Sequence, residues 1–295
     1  MVDLHTHSNA SDGDLSPELL VKEASAQGLS AIALTDHDTI MGLEAAKNTA
    51  AAEKVHFIPG IEINVNWQGR KDVSGLGPGG EFHLLGLGIK SPSPAFTAAI
   101  GELSRRREAR NREILDRMHE LSIDASWEDI TALSGGYSLG RPHFAALLVK
   151  LKIVKNIDQA FSRYLGKDKP LYVPKEGLAF EEAAAIIRQS GGIPVLAHPI
   201  SLYVAWGRLP ALIETLKDIG LMGLEAWHPT AKSGSCRRLE ALARSLGLYV
   251  TEGSDFHGSA RRDRKLGWSH KGRKISDAVL EAIPELALNP PAISG

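Results

Sequence analysis

Two histidines near the start of the chain, His5 and His7, have the spacing of metal ligands. They follow residues 2–4, which have the composition of a short strand. A strand alternates its side chains between two faces, so residues two apart point to the same side. Two imidazoles on one face suit one metal ion, but an isolated motif of this kind is more often a pair of surface histidines. The metal interpretation therefore depends on the rest of the chain.

Further His, Asp and Glu residues stand next to apolar segments along the rest of the chain. Most of them come directly after a short apolar run that is predicted to be a strand. These residues are His37, Glu62, His198, His228, Asp255 and His257. His83 lies within a predicted strand, and Asp12 lies in a loop where Asp is also a common turn former. Any one of these placements could arise by chance, but chance is a poor explanation for the whole series.

Strands and helices alternate along the regions that carry these residues. Strands are predicted at residues 1–4, 31–34, 56–61, 82–87, 193–197, 223–227 and 248–251, with another short strand at 171–173. Helices are predicted at 16–27, 41–52, 179–190, 209–219, 233–246 and 276–282. This alternation predicts an α/β fold with a parallel sheet, and the number of units favours a closed barrel. Because the carboxyl ends of parallel strands face one rim, we expect the polar residues to converge there.

The middle of the chain has helical apolar spacing and no convincing strand. Helices are predicted at 96–121, 126–133, 141–150 and 156–165. We therefore expect residues 1–95 and 168–295 to form the barrel, with residues 96–167 as a helical insertion that caps the site. A glycine-rich loop is predicted at 67–80, and a proline-rich tail follows the last helix.

The composition limits the classes of function. The chain has 295 residues, 43% of them hydrophobic and 23% charged, which permits a sizeable core. A net charge of −1 argues against a broad basic surface for long nucleic acid, but not against a local basic site. The single cysteine, Cys236, excludes an intrachain disulfide and is typical of a reducing cytoplasm. Without a signal peptide or a long apolar run, the expectation is a cytoplasmic protein with no membrane partner.

Several short motifs in series resemble those of the PHP (polymerase and histidinol phosphatase) metal-dependent phosphoesterases. They are His5-x-His7, Thr35-Asp36-His37, Gly60-Ile61-Glu62, His83-Leu84-Leu85-Gly86, Ala197-His198-Pro199 and Gly253-Ser254-Asp255-Phe256-His257. Their order matches from residue 1 to about 258, interrupted by the insertion. The resemblance implies a distorted (β/α)7 TIM-like barrel with a trinuclear metal centre. The insertion resembles the subgroup that dephosphorylates nucleoside 3′,5′-bisphosphates and trims short 5′-phosphorylated RNA.

The resemblance also implies which residues bind each metal ion. The first ion would be held by His5, His7, Glu62 and Asp255. The second would be held by Glu62, His83 and His198, with Glu62 as a bridge. The third would be held by Asp12, His37 and His257, and family members can carry His at the position of Asp12. Nitrogen and oxygen ligands fit Mn, Fe, Zn or Mg, and we expect manganese because so many imidazoles disfavour an all-magnesium site.

The charge of this implied site favours phosphate ester hydrolysis. Three divalent ions exceed the charge of three carboxylates, which suits a phosphate dianion, and a metal-activated hydroxide can serve as the nucleophile. The predicted reaction is removal of the 3′-phosphate from a nucleoside 3′,5′-bisphosphate. The alternatives are a 5′-to-3′ exoribonuclease on short 5′-phosphorylated RNA, then a histidinol phosphate phosphatase, then a non-catalytic metal-binding module.

The candidate substrate contacts lie mostly in the insertion. Arg107 and Arg110 share a helix face with apolar residues, which predicts an anionic partner, either a phosphate or a structural carboxylate. The segment Gly140-Arg141-Pro142-His143 could present Arg141 and backbone N–H groups to a phosphate, or could simply start a helix.

Two further features leave alternatives open. His228 could contact phosphate or protonate the leaving oxygen, or be structural beside Trp227. The basic residues 261–274 could meet a nucleic-acid backbone, although such a segment is more often a solvated loop.

Overall fold

The computed structural model describes residues 1–67, 79–133 and 139–287. Most of the predicted glycine-rich loop and the whole of the predicted tail (residues 68–78 and 288–295) lie outside these ranges. Within the described ranges, no helix combines the length and the apolar character that spanning a bilayer requires.

One sheet organises the structure. Its strands are β1 (Val2–Asp3), β2 (Ala31–Leu34), β3 (His56–Asn66), β4 (His83–Leu87), β5 (Leu178–Ala179), β6 (Ile193–Leu196), β7 (Gly223–Trp227) and β8 (Tyr249–Glu252). The order is β1-β2-β3-β4-β6-β7-β8, and β5 pairs with the end of β3. The apolar strands β2 and β6 are buried along their whole length, as expected for strands covered on both faces.

The two ends of the sheet meet just beyond the last residues of β1 and β8. Thr6 forms a parallel bridge with Phe256, and the His7 N–H donates to the Phe256 carbonyl at 2.9 Å. The sheet is therefore nearly closed, and the predicted α/β fold with a TIM-like barrel is confirmed. His5 and His7 flank this seam.

The direction of β4 differs from the prediction of a parallel sheet. β4 is antiparallel to both β3 and β6, with Asn64 opposite His83 and Gly60 opposite Leu87. The reason is that β3 continues beyond the expected residue 61 to Asn66, so the chain returns from the rim as β4. His83 therefore stands at the first residue of β4 and still lies at the rim that carries the other polar residues.

The strand predicted at residues 171–173 is also wrong. The short strand in this region is β5, which pairs with Val65 and Asn66 of the extended β3. Because β3 is longer than its apolar run indicated, its last residues offer further backbone groups, and the segment that returns from the insertion pairs with them.

Ten α-helices surround and extend the sheet within the described residues. They are α1 (Pro17–Ala26), α2 (Leu43–Glu53), α3 (Pro94–Glu120), α4 (Trp127–Thr131), α5 (Arg141–Lys150), α6 (Ile157–Ala160), α7 (Phe180–Gln189), α8 (Leu209–Asp218), α9 (Ser233–Ser245) and α10 (Ala278–Glu281). Serine caps begin the helices where the sequence indicates: Ser16 accepts from the Leu19 N–H and Ser93 from the Phe96 N–H.

The long helix α3 joins the barrel to the predicted insertion. Phe96 and Leu103 in its first half belong to the core cluster that packs on the barrel. Ile114 and Met118 in its second half pack in a separate cluster with Phe144 of α5. The insertion thus has a small core of its own, and the division at residues 96–167 stays a prediction.

Candidate metal centre

The nine predicted ligands come together at one rim of the barrel, linked by contacts between their side chains. They come from the ends of β1, β2, β6 and β8, from within β3, from the start of β4 and from the loop before α1. Most of them are buried, and only Asp12 and His37 are partly exposed. Residues far apart in the sequence are therefore neighbours, as the strand-end pattern predicts.

Four ligand atoms surround one point in the first group. The Nε2 atoms of His5 and His7 lie 3.1 Å apart. His7 Nε2 lies 3.2 Å from Glu62 Oε2 and from Asp255 Oδ1, and His5 Nε2 lies 3.4 Å from each of the same two oxygens. Ligands about 2.0–2.1 Å from a tetrahedral metal ion are themselves about 3.4 Å apart. The spacing of these atoms thus fits a single ion.

The other carboxylate oxygen of Glu62 faces a second group. Glu62 Oε1 lies 2.9 Å from His83 Nδ1 and 2.9 Å from His198 Nε2. These two nitrogens are 3.3 Å apart. Glu62 therefore presents one oxygen to each group, which is the geometry of a bridging ligand.

A third group is more open. Asp12 Oδ1 lies 3.3 Å from His257 Nε2, 3.9 Å from His37 Nε2 and 4.0 Å from His7 Nδ1. His37 also approaches Glu62, with its Nδ1 3.0 Å from Oε2. His37 therefore lies between the first and third groups, where its two ring nitrogens face different carboxylates.

Unpaired polar atoms indicate that this cluster is built for cations. Despite these close approaches, the buried His7 Nδ1, His37 Nδ1 and Glu62 Oε2 form no hydrogen bond of good geometry with any described residue. Such an atom costs about 1–3 kcal/mol when left unpaired, and a bound cation removes that cost at a carboxylate or a neutral imidazole. Burial opposes ionisation of Glu62, but His37, His83 and His5 outweigh it and hold the pKa of this carboxyl well below its usual range. The donor set therefore fits divalent metal ions.

Glu225 orients two of the predicted ligands, although sequence reasoning missed it. Glu225 Oε1 lies 2.9 Å from His5 Nδ1, and Oε2 accepts from the His198 N–H at 2.7 Å. His5 is therefore expected to donate through Nδ1, which leaves Nε2 free for a metal. Gly253 permits this packing, because a Cβ there would lie 2.4 Å from His5 Cβ. The signal in the sequence was a Glu inside the apolar strand β7.

Two of the predicted ligands have an unusual backbone conformation. His198 has a φ of 30° and Asp255 a φ of 49°, in the left-handed region that non-glycine residues rarely adopt. Strain of this kind costs roughly 1–3 kcal/mol per residue and is concentrated at functional sites. At these two positions the backbone is bent so that the side chain enters the cluster.

Arg264 is a second residue that sequence reasoning missed. The prediction of a solvated loop is wrong at this position, because Arg264 is buried and forms an ion pair with Asp255 Oδ2. His228 Nε2 lies 3.1 Å from the same oxygen, and His228 Nδ1 accepts from the Thr230 N–H at 3.3 Å. Arg264 Nη1 also lies 3.2 Å from His228 Nε2, so His228 and Arg264 together contact this side of Asp255.

A cavity of about 450 Å³ lies between the cluster and the insertion. Arg107, Arg110, Gly140 and Arg141 line it, as does His228. The lining also includes residues that were not predicted, among them Lys175, Tyr203 and Arg264. His143 lies outside this lining: its Nδ1 accepts from the Gly140 N–H at 3.1 Å and caps α5.

The arginines of the insertion differ in their partners. Arg107 forms an ion pair with Asp38 and donates to the His37 carbonyl at 3.2 Å, so the structural carboxylate is its partner. Arg110 is 8% exposed, and no described residue forms a hydrogen bond or an ion pair with it. Burial, together with Arg107 and Arg141 nearby, lowers the pKa of Arg110 to about 10. Arg110 is therefore a nearly buried cation that has no ion-pair partner among the described residues, although the charge of Asp38 acts on it from a longer distance.

Comparison with known proteins identifies similar sequences and structures. The family model described as PHP domain matches residues 3–171. A 5′-3′ exoribonuclease of Haemophilus influenzae is 35% identical over 282 residues, which cover 96% of each chain. A 3′,5′-nucleoside bisphosphate phosphatase of Chromobacterium violaceum is 31% identical over 267 residues, which cover 90% of each chain. A crystal structure from Bifidobacterium adolescentis, described as a metal-dependent phosphoesterase, is similar with a TM-score of 0.80 at 26% identity over 96% of each chain.

Proposed function

Because this chain belongs to the PHP domain family and is a metal-dependent phosphoesterase, we propose that it hydrolyses a small nucleotide that carries two phosphates. The simplest such substrate is a nucleoside 3′,5′-bisphosphate that loses its 3′-phosphate. As a hydrolase, the chain is not the non-catalytic metal-binding module considered above.

We propose three divalent metal ions, with manganese as the preferred ion. His5, His7, Glu62 and Asp255 would hold the first ion; Glu62, His83 and His198 the second; Asp12, His37 and His257 the third. Bound divalent ions would lower the pKa of a water molecule and stabilise charge on a phosphate. The unpaired buried atoms of His7, His37 and Glu62 support this assignment.

The observation that carries the proposal is Arg110. A nearly buried guanidinium with no anionic partner among the described residues is costly unless an anion binds there. It lines the same cavity as the metal cluster, so a ligand with one phosphate at the cluster could place a second near Arg110. Arg141 and Lys175 line this wall too, and a planar guanidinium suits bidentate phosphate binding.

The remaining polar residues of the site position the ligands. Glu225 contacts His5 Nδ1 and accepts from the His198 N–H, and Arg264 forms an ion pair with Asp255 Oδ2. His228 Nε2 lies 3.1 Å from Asp255 Oδ2 and 3.2 Å from Arg264 Nη1, so this nitrogen would first have to leave those contacts in order to protonate a leaving oxygen. We therefore assign His228 to orientation of Asp255 and contact with the bound phosphate.

A 5′-to-3′ exoribonuclease acting on short RNA is the second candidate. The Haemophilus influenzae relative of that name is similar over 96% of both chains, which supports it. The two substrates share a nucleotide with phosphates on both sides of its ribose, so one cavity could accept either. Histidinol phosphate is the third candidate, but its ammonium group would enter a cavity lined by several arginines, where Glu81 is the one described carboxylate besides the proposed metal ligands.

Phosphate and nucleotide release by the metal-reconstituted protein tests this proposal. The panel is adenosine 3′,5′-bisphosphate, 5′-phosphorylated RNA of a few nucleotides and histidinol phosphate, each with Mn, Fe, Zn and Mg. We expect the bisphosphate to be turned over with the highest kcat/KM. Turnover of histidinol phosphate alone would contradict the nucleotide assignment.

Arg110→Gln tests the second phosphate contact. Loss of a charge-assisted contact worth about 1.5–3 kcal/mol should lower kcat/KM for adenosine 3′,5′-bisphosphate roughly 10- to 100-fold. Adenosine 3′-monophosphate, which lacks the second phosphate, should be hydrolysed at an unchanged rate. Arg112→Gln is the matched control, since Arg112 is exposed on the same helix and pairs with Glu108 at 2.7 Å. An equal loss for both substrates would show that Arg110 is structural.

A further inference from the structure

Residues 258–274 are far more basic than the rest of the chain. They contain seven Lys or Arg and one Asp, whereas the whole chain has 34 Lys and Arg against 35 Asp and Glu. Arg264 is paired with Asp255, and Arg273 with Glu252 at 3.0 Å. Five exposed cations are left, against the single exposed Asp263. They are Arg261, Arg262, Lys265, Lys271 and Lys274, and we call this surface the basic platform.

The platform is ordered around an aromatic ring. Trp268 forms antiparallel bridges with Lys265 and with Lys274, so the three side chains stand on one face. The ammonium groups lie 4.5 Å and 5.3 Å from the centre of the ring. Cation–π contacts of this kind restrict the lysine side chains before a ligand arrives, which lowers the entropy cost of binding.

The platform begins at the mouth of the metal-lined cavity. Arg261 lines that cavity, while Lys265, Trp268 and Lys271 line an adjoining pocket of about 290 Å³. The two share a wall, because Pro229 lines the pocket while its neighbours His228 and Thr230 line the cavity. A chain that leaves the cavity on this side would therefore pass directly onto the platform.

We propose that the basic platform binds the phosphate backbone of single-stranded RNA whose 5′ end occupies the metal-lined cavity. This inference rests on the proposed function, since it requires a nucleotide in the cavity. The phosphates of an RNA backbone carry negative charges at a regular spacing, which complement exposed cations. Such contacts are independent of base sequence. An acidic protein segment would also satisfy the charge, but it carries no phosphate ester for the site that the cavity is proposed to contain.

The variant that tests the platform is K265Q/K271Q/K274Q. For 5′-phosphorylated RNA of eight nucleotides, we expect KM to rise about tenfold near 0.1 M salt. A plot of the logarithm of the binding constant against the logarithm of the salt concentration should also become less steep. Its slope should fall in magnitude by about 2, because each of the three lost phosphate contacts contributes about 0.7. The kcat/KM for adenosine 3′,5′-bisphosphate should stay within about twofold of wild type, because the three lysines lie outside the cavity lining.

The matched control is K22Q/K47Q/K217Q, which removes three exposed lysines of α1, α2 and α8 and keeps the same net charge as the test variant. It should leave KM and the salt dependence for RNA unchanged. An equal effect of both triple variants would mean that net charge alone acts, and would overturn the platform. Thermal unfolding of both variants verifies that neither has lost its fold.

Binding of a phosphorothioate RNA that resists hydrolysis separates this inference from the proposed function. Fluorescence anisotropy of the metal-loaded protein should show a dissociation constant about tenfold higher for the test variant. That result supports the platform even if the bisphosphate is not a substrate. Equal binding by wild type and variant, or no RNA binding by the wild type, would overturn the platform while leaving bisphosphate hydrolysis intact.

Discussion

Two carboxylates, Glu62 and Asp255, show how single residues of this site serve two partners at once. Glu62 divides its oxygens between two groups of histidines. Asp255 turns Oδ1 towards His5 and His7, and Oδ2 towards Arg264 and His228. Glu62 therefore faces two proposed cation sites, whereas Asp255 faces one such site with Oδ1 and its positioning contacts with Oδ2.

The tautomer and orientation of His5 depend on Glu225, so Glu225→Gln should weaken metal binding. A glutamine offers one acceptor to the two donors, His5 Nδ1 and the His198 N–H, and turns an amide N–H₂ towards the other. We expect metal affinity to fall about 10- to 100-fold, as is usual when such a partner is lost. Competition with a chromogenic chelator measures this.

Glu240→Gln is the control for that measurement. Glu240 accepts a hydrogen bond from Nε1 of Trp227, the last residue of the strand β7 that also carries Glu225. No hydrogen bond or ion pair joins Glu240 to a proposed ligand among the described residues. Glu225→Gln with unchanged metal affinity and lowered thermal stability would show that Glu225 acts on folding only.

At the scale of elements, α3 carries two arginines with different tasks one turn apart. Arg107 pairs with Asp38, which also accepts from the Asn64 N–H at 2.8 Å, and so ties the helix to the ends of β2 and β3. Arg110 lies one turn further on and faces the cavity without a described partner. The helix is thus docked on the barrel by one arginine so that the next can meet a substrate.

His143 at the start of α5 should make the stability of the folded chain depend on pH. Burial lowers the pKa of His143, whose Nδ1 accepts from the Gly140 N–H. The unfolded chain therefore binds a proton more readily than the folded chain, so stability should fall as pH drops below about 6.5. His143→Asn can keep the cap through its side-chain oxygen without titrating. This variant should lose less of its free energy of unfolding than the wild type between pH 7 and 5.5. Urea unfolding at both pH values measures this, and identical losses would contradict it.

At the scale of the whole molecule, the metal centre and the closure of the barrel coincide. The seam pairs Thr6 with Phe256, and Asp3 accepts from the Ser254 N–H at 3.0 Å and from the Gly267 N–H at 2.7 Å. The first proposed metal ion would draw its ligands from both sides of this seam. Metal binding should therefore hold together the first and last strands.

Chelation of the metal should lower the stability of the whole barrel. At a free metal concentration of one hundred times Kd, loss of binding removes about 3 kcal/mol, or roughly 5–10 °C in Tm for a domain of this size. Scanning calorimetry with and without chelator measures the change. The double variant H5Q/H7Q should start from a lower Tm and lose less on chelation. A loss as large as that of the wild type would place the stabilising metal elsewhere.

The sequence alone determined the chemistry of this protein. Most of the predicted apolar strands carry a nitrogen or oxygen donor at one end. Short motifs reveal this because the type of a ligand and its position relative to a strand are both local properties of the sequence. The family, the class of reaction and the barrel all followed from these local patterns.

The tertiary structure decided which distant groups meet. The direction of β4 depends on how far β3 extends, and the roles of Glu225 and Arg264 depend on the seam that brings them to His5 and Asp255. Arg107 and Arg110 look equivalent in sequence, and only packing gives one a carboxylate and leaves the other facing the cavity. Contacts of this kind arise from strand pairing and packing between residues far apart, which the spacing along one segment does not record.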